Sequence, residues 1–161
     1  MVAMLGACST APMPSSSTPG VVNGNIDNML FAVADSIALP AASGVHIVMS
    51  SDAGHCGATV RHPGETALVL MLSDTTTGTY QAGGDPGTKS ADVTADIWDA
   101  QCMDTYNDVV VETGSVTLTK VDGGVFVGSF DVTLGADHIT GEFSAVECDA
   151  TPPQTPLPCG P

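Results

Sequence analysis

Residues 115–146 have the sequence SVTLTKVDGGVFVGSFDVTLGADHITGEFSAV, and this stretch decides the fold class. Apolar and polar residues alternate in three successive runs, as where Phe130 and Val132 flank Asp131. A period of two is typical of strands that have one buried face and one solvated face. The stretch therefore predicts a C-terminal three-stranded antiparallel meander.

The connections between these runs support the meander. Asp122-Gly123-Gly124 offers the positive-φ residues of a tight hairpin, and Gly135-Ala136-Asp137 offers a second turn. In two of the runs a glycine precedes a phenylalanine by two residues, as in Gly128-Ser129-Phe130 and Gly141-Glu142-Phe143. Both residues of each pair share one strand face, so we expect the ring from a neighbouring strand to cover the bare glycine backbone.

The rest of the chain contains further short β-rich runs separated by turn-forming clusters. Ala67–Leu72 is continuously apolar and suits a strand buried on both faces. The other candidate strands are 29–33, 45–50, 79–81, 91–97 and 109–112. No segment has helical periodicity with start and stop signals. Residues 26–150 are therefore predicted to form one all-β domain, either an antiparallel β-sandwich or an open barrel.

The charge of the chain narrows the function classes. Its 161 residues include 18 acids but only three Lys and Arg residues, for a formal net charge of -15. Such a surface repels phosphate backbones, so nucleic acid is not an expected partner. The 43% hydrophobic content indicates a folded domain, in contrast to a disordered acidic tail.

The N-terminal residues predict an anchor. Leu5-Gly6-Ala7-Cys8 resembles a bacterial lipobox, in which the cysteine receives a lipid. Residues 1–8 are interpreted as the end of a lipoprotein signal, and residues 9–25 as a Ser/Thr/Pro-rich tether. The basic and apolar parts of a signal peptide are missing before Leu5, so we expect the true start to lie upstream. By the same resemblance, Ser9 after Cys8 indicates the outer membrane of the cell envelope.

The other four cysteines predict disulfides. They are Cys56, Cys102, Cys148 and Cys159, an even number in a protein expected to be exported. The preferred pairing is Cys56–Cys102 with Cys148–Cys159, the second of which would clip the Pro-rich tail, residues 151–161, onto the last strand. A Cys102–Cys148 pairing stays open.

The sequence contains no recognisable catalytic motif, so we predict neither an enzymatic activity nor a bound cofactor. His55, Cys56 and His62 are the nearest approach to a metal cluster. Adjacent strand residues point to opposite faces, so this set would bind a metal only in a loop, and no metal site is predicted.

Two ligand classes remain as alternatives. Calcium is suggested by acids beside glycine in turns, which are Asp52, Asp85, Asp122 and Asp137. Carbohydrate binding would need exposed aromatic platforms, for which Trp98, Tyr80 and Tyr106 are the candidates. We expect Trp98 to pack in the core or at its rim.

Over most of its length the chain is similar to a family of β-rich lipoproteins common in myxobacteria, which pair an N-terminal lipobox with a β-rich body. The resemblance rests on 114–119, 128–132 and 139–143, followed by Cys148. It implies an N-terminal lipid anchor and a β-rich body but no activity, since the family has none assigned. The sequence thus predicts a non-enzymatic, lipid-anchored envelope domain with a structural or interaction role towards an unknown protein or surface partner. The alternative is a calcium- or carbohydrate-binding module.

Overall fold

The computed structural model describes residues 19–85, 88–106, 111–149 and 157–160. All regular secondary structure in these residues is β-strand. The strands are β1 (Gly20–Asn23), β2 (Asn25–Ile26), β3 (Met29–Leu30), β4 (Asp35–Ala41), β5 (Gly44–Ser50), β6 (Thr66–Leu72), β7 (Gly78–Ala82), β8 (Ser90–Ile97), β9 (Val111–Asp122), β10 (Val125–Leu134) and β11 (Asp137–Glu147). The all-β prediction is therefore confirmed.

Eight of the strands form a closed barrel. Their order is β11-β10-β9-β7-β8-β6-β5-β4, and β4 pairs back with β11. The closing contact is parallel and joins Val146 to Ile37 and Glu147 to Ala38. A second parallel contact joins β7 to β8, so the barrel is mixed. β1 lies outside the ring and pairs with β11.

The predicted antiparallel sandwich or open barrel thus differs from the structure in two respects, closure and strand direction. Alternation reports which face of a strand is buried, but it carries no information on which distant strand lies beside it. The two parallel contacts are short and join strands that are not consecutive in the chain, so no hairpin signal marks them.

The C-terminal meander is confirmed. β9, β10 and β11 pair in sequence as antiparallel neighbours. Gly123 and Gly124 have φ angles of 56° and 76° between the paired residues Asp122 and Val125. Positive φ at both central residues matches the right-handed twist of the flanking strands, which explains the two glycines.

The core fills the inside of the barrel. Alternate residues of each strand point inward, and an eight-stranded barrel has an interior just wide enough for side chains to fill. The largest fully buried side chains include Tyr80, Phe143, Met49, Leu68 and Leu134. Branched aliphatic residues supply most of the interior cluster, and all four phenylalanines and Tyr80 add aromatic rings to it.

A second, smaller apolar cluster lies on the outside of the barrel wall. It consists of Ile37, Val48, Ala67, Trp98 and Cys148, with Leu39 and Val69 packed against it. β6 contacts both clusters, because Leu68 and Leu70 face the interior and Ala67 belongs to the outer cluster. The sequence predicts burial of 67–72 on both faces, and this second cluster covers the outer face at Ala67 and partly at Val69.

The N-terminal strand corrects the predicted tether. β1 lies within 9–25, the range interpreted as tether, while 9–18 fall outside the described residues. Val22 opposes Gly141 in the β1–β11 register and packs against the core. Two β-branched valines next to an available sheet edge favour strand pairing over a free linker.

The β2–β3 ribbon follows β1 directly. Asp27 and Asn28 form its turn with φ angles of 51° and 62°, which these residue types tolerate better than most. Ile26 and Phe31 on either side of the turn are buried in the interior cluster. The ribbon and the residue that follows it therefore contribute two apolar side chains to the barrel interior.

The predicted cover of glycine by phenylalanine is confirmed in reciprocal form. Gly128 opposes Phe143, and Phe130 opposes Gly141. A Cβ atom added at Gly128 would lie 2.6 Å from the ring of Phe143 and 2.3 Å from the carbonyl oxygen of Thr117. Each glycine thus leaves the space that the opposite ring occupies.

Replacing Gly128 by alanine is expected to destabilise the fold by about 1–3 kcal/mol, because the clashing carbonyl oxygen belongs to the neighbouring strand and cannot rotate away. Urea unfolding followed by circular dichroism measures the loss. Ser129→Ala, at the adjacent position with its side chain on the other face, is the control and is expected to lie within about 0.5 kcal/mol of the unsubstituted protein. Equal stability of the two variants would contradict the packing role of Gly128.

Candidate functional site

The loop between β5 and β6, residues 51–65, carries most of the chemically active side chains. Ser50, the last residue of β5, pairs with Ala67, the second residue of β6. Cys56 in the loop is bonded to Cys148, which immediately follows β11. This disulfide fastens the loop over the outer apolar cluster.

The second disulfide joins Cys102 to Cys159. The segment around Cys159 runs beside Arg61, whose backbone N–H donates to Pro158 O at 2.9 Å. Gly160 N–H in turn donates to Arg61 O at 2.8 Å. Both disulfides therefore fix segments that lie against the same loop, residues 51–65.

The presence of two disulfides among the four cysteines is confirmed, but the preferred pairing is wrong. Cys56 pairs with Cys148 and Cys102 with Cys159, so neither Cys56–Cys102, Cys148–Cys159 nor Cys102–Cys148 is formed. The reason is the barrel closure, which places Cys148 N–H 2.8 Å from Ala38 O beneath the loop. The tail is indeed clipped back, but onto the loop that follows β8.

Peptide mapping under non-reducing conditions checks this pairing. Trypsin separates Cys56, Cys102 and the C-terminal peptide at Arg61, Lys89 and Lys120, and cleavage before Asp149 separates Cys148 from Cys159. We expect two linked species, Cys56 with Cys148 and Cys102 with Cys159. A species that links the Cys56 and Cys102 peptides would contradict the structure.

A tight turn brings two titratable side chains together. In His62-Pro63-Gly64-Glu65, Glu65 N–H donates to His62 O at 3.2 Å, and Gly64 has a φ of 78°. Proline followed by a positive-φ glycine is the signature of a type II turn. His62 N–H also donates to Glu65 Oε2 at 3.3 Å. The turn thus holds His62 and Glu65 close together in space.

Three further residues surround Glu65, and with His62 and Glu65 they are called here the Glu65 cluster. The Ser50 hydroxyl donates to Glu65 Oε1 at 3.2 Å. His55 Nδ1 lies 3.2 Å from the same oxygen. Asp52 Oδ2 lies 3.1 Å from His62 Nδ1, and Asp52 N–H donates to Ser50 Oγ at 3.0 Å.

Glu65 is the buried centre of the cluster, with 4% of its side chain exposed. Burial by itself raises the pKa of Glu65 because it disfavours the charged form. Hydrogen bonds from His55 and the His62 backbone, with the positive charge of Arg61 nearby, outweigh burial and hold the pKa below its usual range. Glu65 is therefore a carboxylate at neutral pH.

The sequence placed a possible metal set at His55, Cys56 and His62, and the structure rearranges it. Cys56 forms a disulfide and offers no thiolate to a metal. The His55 side chain and the His62 backbone N–H both contact the Glu65 carboxylate. Sequence reasoning missed Glu65. The detectable signal was the spacing of a histidine and a glutamate on either side of Pro63-Gly64.

Arg61 in this loop stacks on Trp98, the residue that follows β8. The guanidinium carbon of Arg61 lies 3.5 Å from the centroid of the Trp98 ring, and Trp98 is 8% exposed. The prediction that Trp98 packs at the core rim is confirmed. Burial raises the pKa of nearby Asp96, and Asp104 adds to the rise, while Arg61 opposes it.

Three of the four acids suggested for calcium lie in different parts of the fold. Asp52 belongs to the Glu65 cluster, and Asp122 Oδ2 lies 3.4 Å from Lys120 Nζ. Asp137 Oδ2 accepts from Asp27 N–H at 2.8 Å and from Tyr106 Oη at 3.3 Å. Each of these three acids therefore has partners of its own in a different part of the fold.

A second polar cluster joins Asp74, Thr76, Tyr80 and Lys89. The hydroxyl of the buried Tyr80 donates to Asp74 Oδ1 and Thr76 O. Lys89 Nζ lies 3.5 Å from Asp74 Oδ1 and donates to Thr76 O at 3.1 Å. Burial, followed by the hydrogen bond and charge of Asp74, raises the pKa of Tyr80 to about 12.

Tyr80 in a Tyr106→Phe variant is expected to ionise with a midpoint at about 12 in the folded state. In the urea-unfolded chain the midpoint should return to about 10. Because the folded pKa is raised, the associated stability is present below about pH 10 and is lost as the pH rises towards 12. Near-ultraviolet absorbance of tyrosinate measures both midpoints, and equal values would contradict the Asp74–Tyr80 contact.

A shallow groove of about 370 Å³ lies beside β1 on the barrel wall. Its lining includes Val21, Thr119, Ser129 and Glu142. One carboxylate among hydroxyl and aliphatic groups does not form an acid–base pair.

No helix in the described part of the chain is long and apolar enough to cross a bilayer. Comparison of the chain with protein-family models, with curated proteins and with solved structures yields no match. The fold and the covalent bonds define the chain as an all-β protein with a closed mixed barrel and two disulfides.

Proposed function

We propose that this protein is a non-enzymatic domain of the bacterial cell envelope, anchored by a lipid on Cys8 in the outer membrane, with a structural or interaction role. The observation that carries the proposal is the use of the cysteines. The two disulfides take up four of the five cysteines, and Cys8, the fifth, is the one that follows Leu5-Gly6-Ala7.

Two disulfides in one domain support an oxidising compartment, because structural disulfides persist in exported proteins and are rare in the cytosol. The position of Cys8 supports an anchor for the same domain. Only residues 9–19 separate it from β1, whose first residue, Gly20, already pairs with Phe143. The lipid would therefore hold the barrel within a short distance of the membrane.

The surface charge supports a partner that is not a polyanion. The three cationic side chains each have a contact: Arg61 stacks on Trp98, Lys89 binds the Asp74–Tyr80 cluster, and Lys120 lies beside Asp122. With 18 acids against these three, the outer surface is strongly negative. A partner with a basic patch, or one bridged by cations, fits this surface electrostatically.

The anchor is tested in a Gram-negative host that expresses the full reading frame, including any residues upstream of Met1. Labelled palmitate and membrane fractionation measure lipidation and location. We expect the unsubstituted protein to carry label and to fractionate with the outer membrane, and Cys8→Ala to lose both label and membrane association.

Ser9→Asp is the matched variant. It leaves Cys8 intact, and in the outer-membrane interpretation it is expected to keep the label but move to the inner membrane. Label on Cys8→Ala, or an unmodified Cys8 in the mature protein by mass spectrometry, would overturn the anchor. An unlabelled protein that still contains both disulfides would leave export standing and refute lipidation alone.

A further inference from the structure

We propose that Asp52, His62 and Glu65 form a binding site for a divalent transition-metal ion of the zinc class. Each residue offers one ligand atom, and the three atoms lie within 4.8 Å of one another. Among the described residues this is the one group of three or more His, Cys, Asp or Glu side chains with that geometry. The inference does not depend on the lipid anchor.

The spacing of the ligand atoms is close to that of a metal site. Zinc bonds to imidazole nitrogen and carboxylate oxygen are about 2.0–2.2 Å long, so two ligands of a tetrahedral ion lie about 3.3–3.6 Å apart. His62 Nδ1 and Asp52 Oδ2 are already 3.1 Å apart. The three atoms lie within 4.8 Å of one another, so the wider separations must shorten by up to about 1 Å for all three to reach one ion.

Glu65 is held in position by groups that would not themselves bind the ion. Ser50 Oγ and His55 Nδ1 both lie 3.2 Å from Oε1. Such outer partners orient a ligating carboxylate and are a regular part of metal sites. The type II turn and the Cys56–Cys148 disulfide restrict the backbone of the loop, so less ordering is needed when an ion binds.

The site is open on one side. Asp52 and His62 have 36% and 47% of their side chains exposed, while Glu65 lies buried beneath them with 4% exposed. An ion can therefore enter from solvent and keep one position for water, as in three-ligand protein sites. The net charge of -15 raises the local concentration of divalent cations around this opening.

The donor set selects the class of ion. Calcium and magnesium take oxygen ligands almost entirely, whereas an imidazole nitrogen with carboxylates suits zinc and its neighbours. Two carboxylates and one neutral imidazole neutralise a divalent ion. We therefore infer a zinc-class ion and expect calcium to bind far more weakly.

The test uses the full, oxidised chain after treatment with EDTA. Isothermal titration with zinc chloride measures stoichiometry and affinity, and native mass spectrometry checks the number of ions bound. Cobalt(II) supplies a separate signal, because a tetrahedral cobalt site has a strong visible absorption. We expect one equivalent of zinc, a visible cobalt spectrum, and a zinc-dependent rise in Tm.

His62→Gln and Asp52→Asn alter exposed side chains and are expected to fold, and each should weaken zinc binding at least tenfold. His55→Gln removes only an outer partner of Glu65 and should weaken binding by about tenfold or less. Glu65→Gln should abolish the cobalt spectrum. Circular dichroism of each variant separates lost binding from lost folding.

His138→Gln is the matched control. His138 Nε2 lies 2.8 Å from Asp131 Oδ1, so this exposed pair has the same chemistry as His62 and Asp52 but no buried carboxylate beside it. Unchanged zinc binding in this variant supports the site. The proposal is overturned if the protein binds no zinc at equimolar concentration, if His62→Gln binds as well as the unsubstituted protein, or if calcium binds more tightly than zinc.

Discussion

The parallel contact between β11 and β4 is the constraint on which the rest of the structure depends. Its two registered pairs, Val146 with Ile37 and Glu147 with Ala38, convert an open sheet into a ring. A closed ring has no unpaired edge along those strands, and its interior can be fully covered by its own side chains. Without this contact the interior residues of β4 and β11 would face water.

The same contact determines the covalent framework. Cys148 follows β11 at once, so closure carries it to the outer wall beside Ala38 and under the loop after β5. Cys56 can then reach it, and the loop settles over Ile37, Val48 and Trp98. The Glu65 cluster lies in that loop, so its geometry rests on barrel closure through a disulfide and a small apolar cluster.

The sequence predicts well those features that neighbouring residues decide. The meander, its Gly123-Gly124 hairpin and the reciprocal glycine–phenylalanine cover follow from alternation and turn chemistry alone. The sequence does not predict β4, because Ser36 and Pro40 interrupt its apolar pattern. A proline is tolerated there because β4 pairs with β11 only at Ile37 and Ala38, so Pro40 lacks a partner on that side among the described strands.

Features that depend on distant residues could not be read in the same way. Closure and the two disulfides all join segments that are far apart in the chain, the disulfides across 92 and 57 residues. Spacing does not distinguish the three possible pairings of four cysteines. Within the Glu65 cluster, the Pro63-Gly64 turn can be predicted from adjacent residues, and this turn brings His62 and Glu65 together. Asp52 joins them only because the loop folds back on itself.

Barrel closure also has a consequence for how the chain acquires its structure over time. β4 must wait for β11, the last of the described strands, so the ring stays open until the chain has been made as far as Glu147. Pairings between distant segments carry a large loop-closure entropy and slow folding. The disulfide from Cys56 cannot form earlier either, since its partner Cys148 follows β11. Until then the interior of β4, β5 and β6 is uncovered, and in that interval the chain is most open to chaperones and to aggregation.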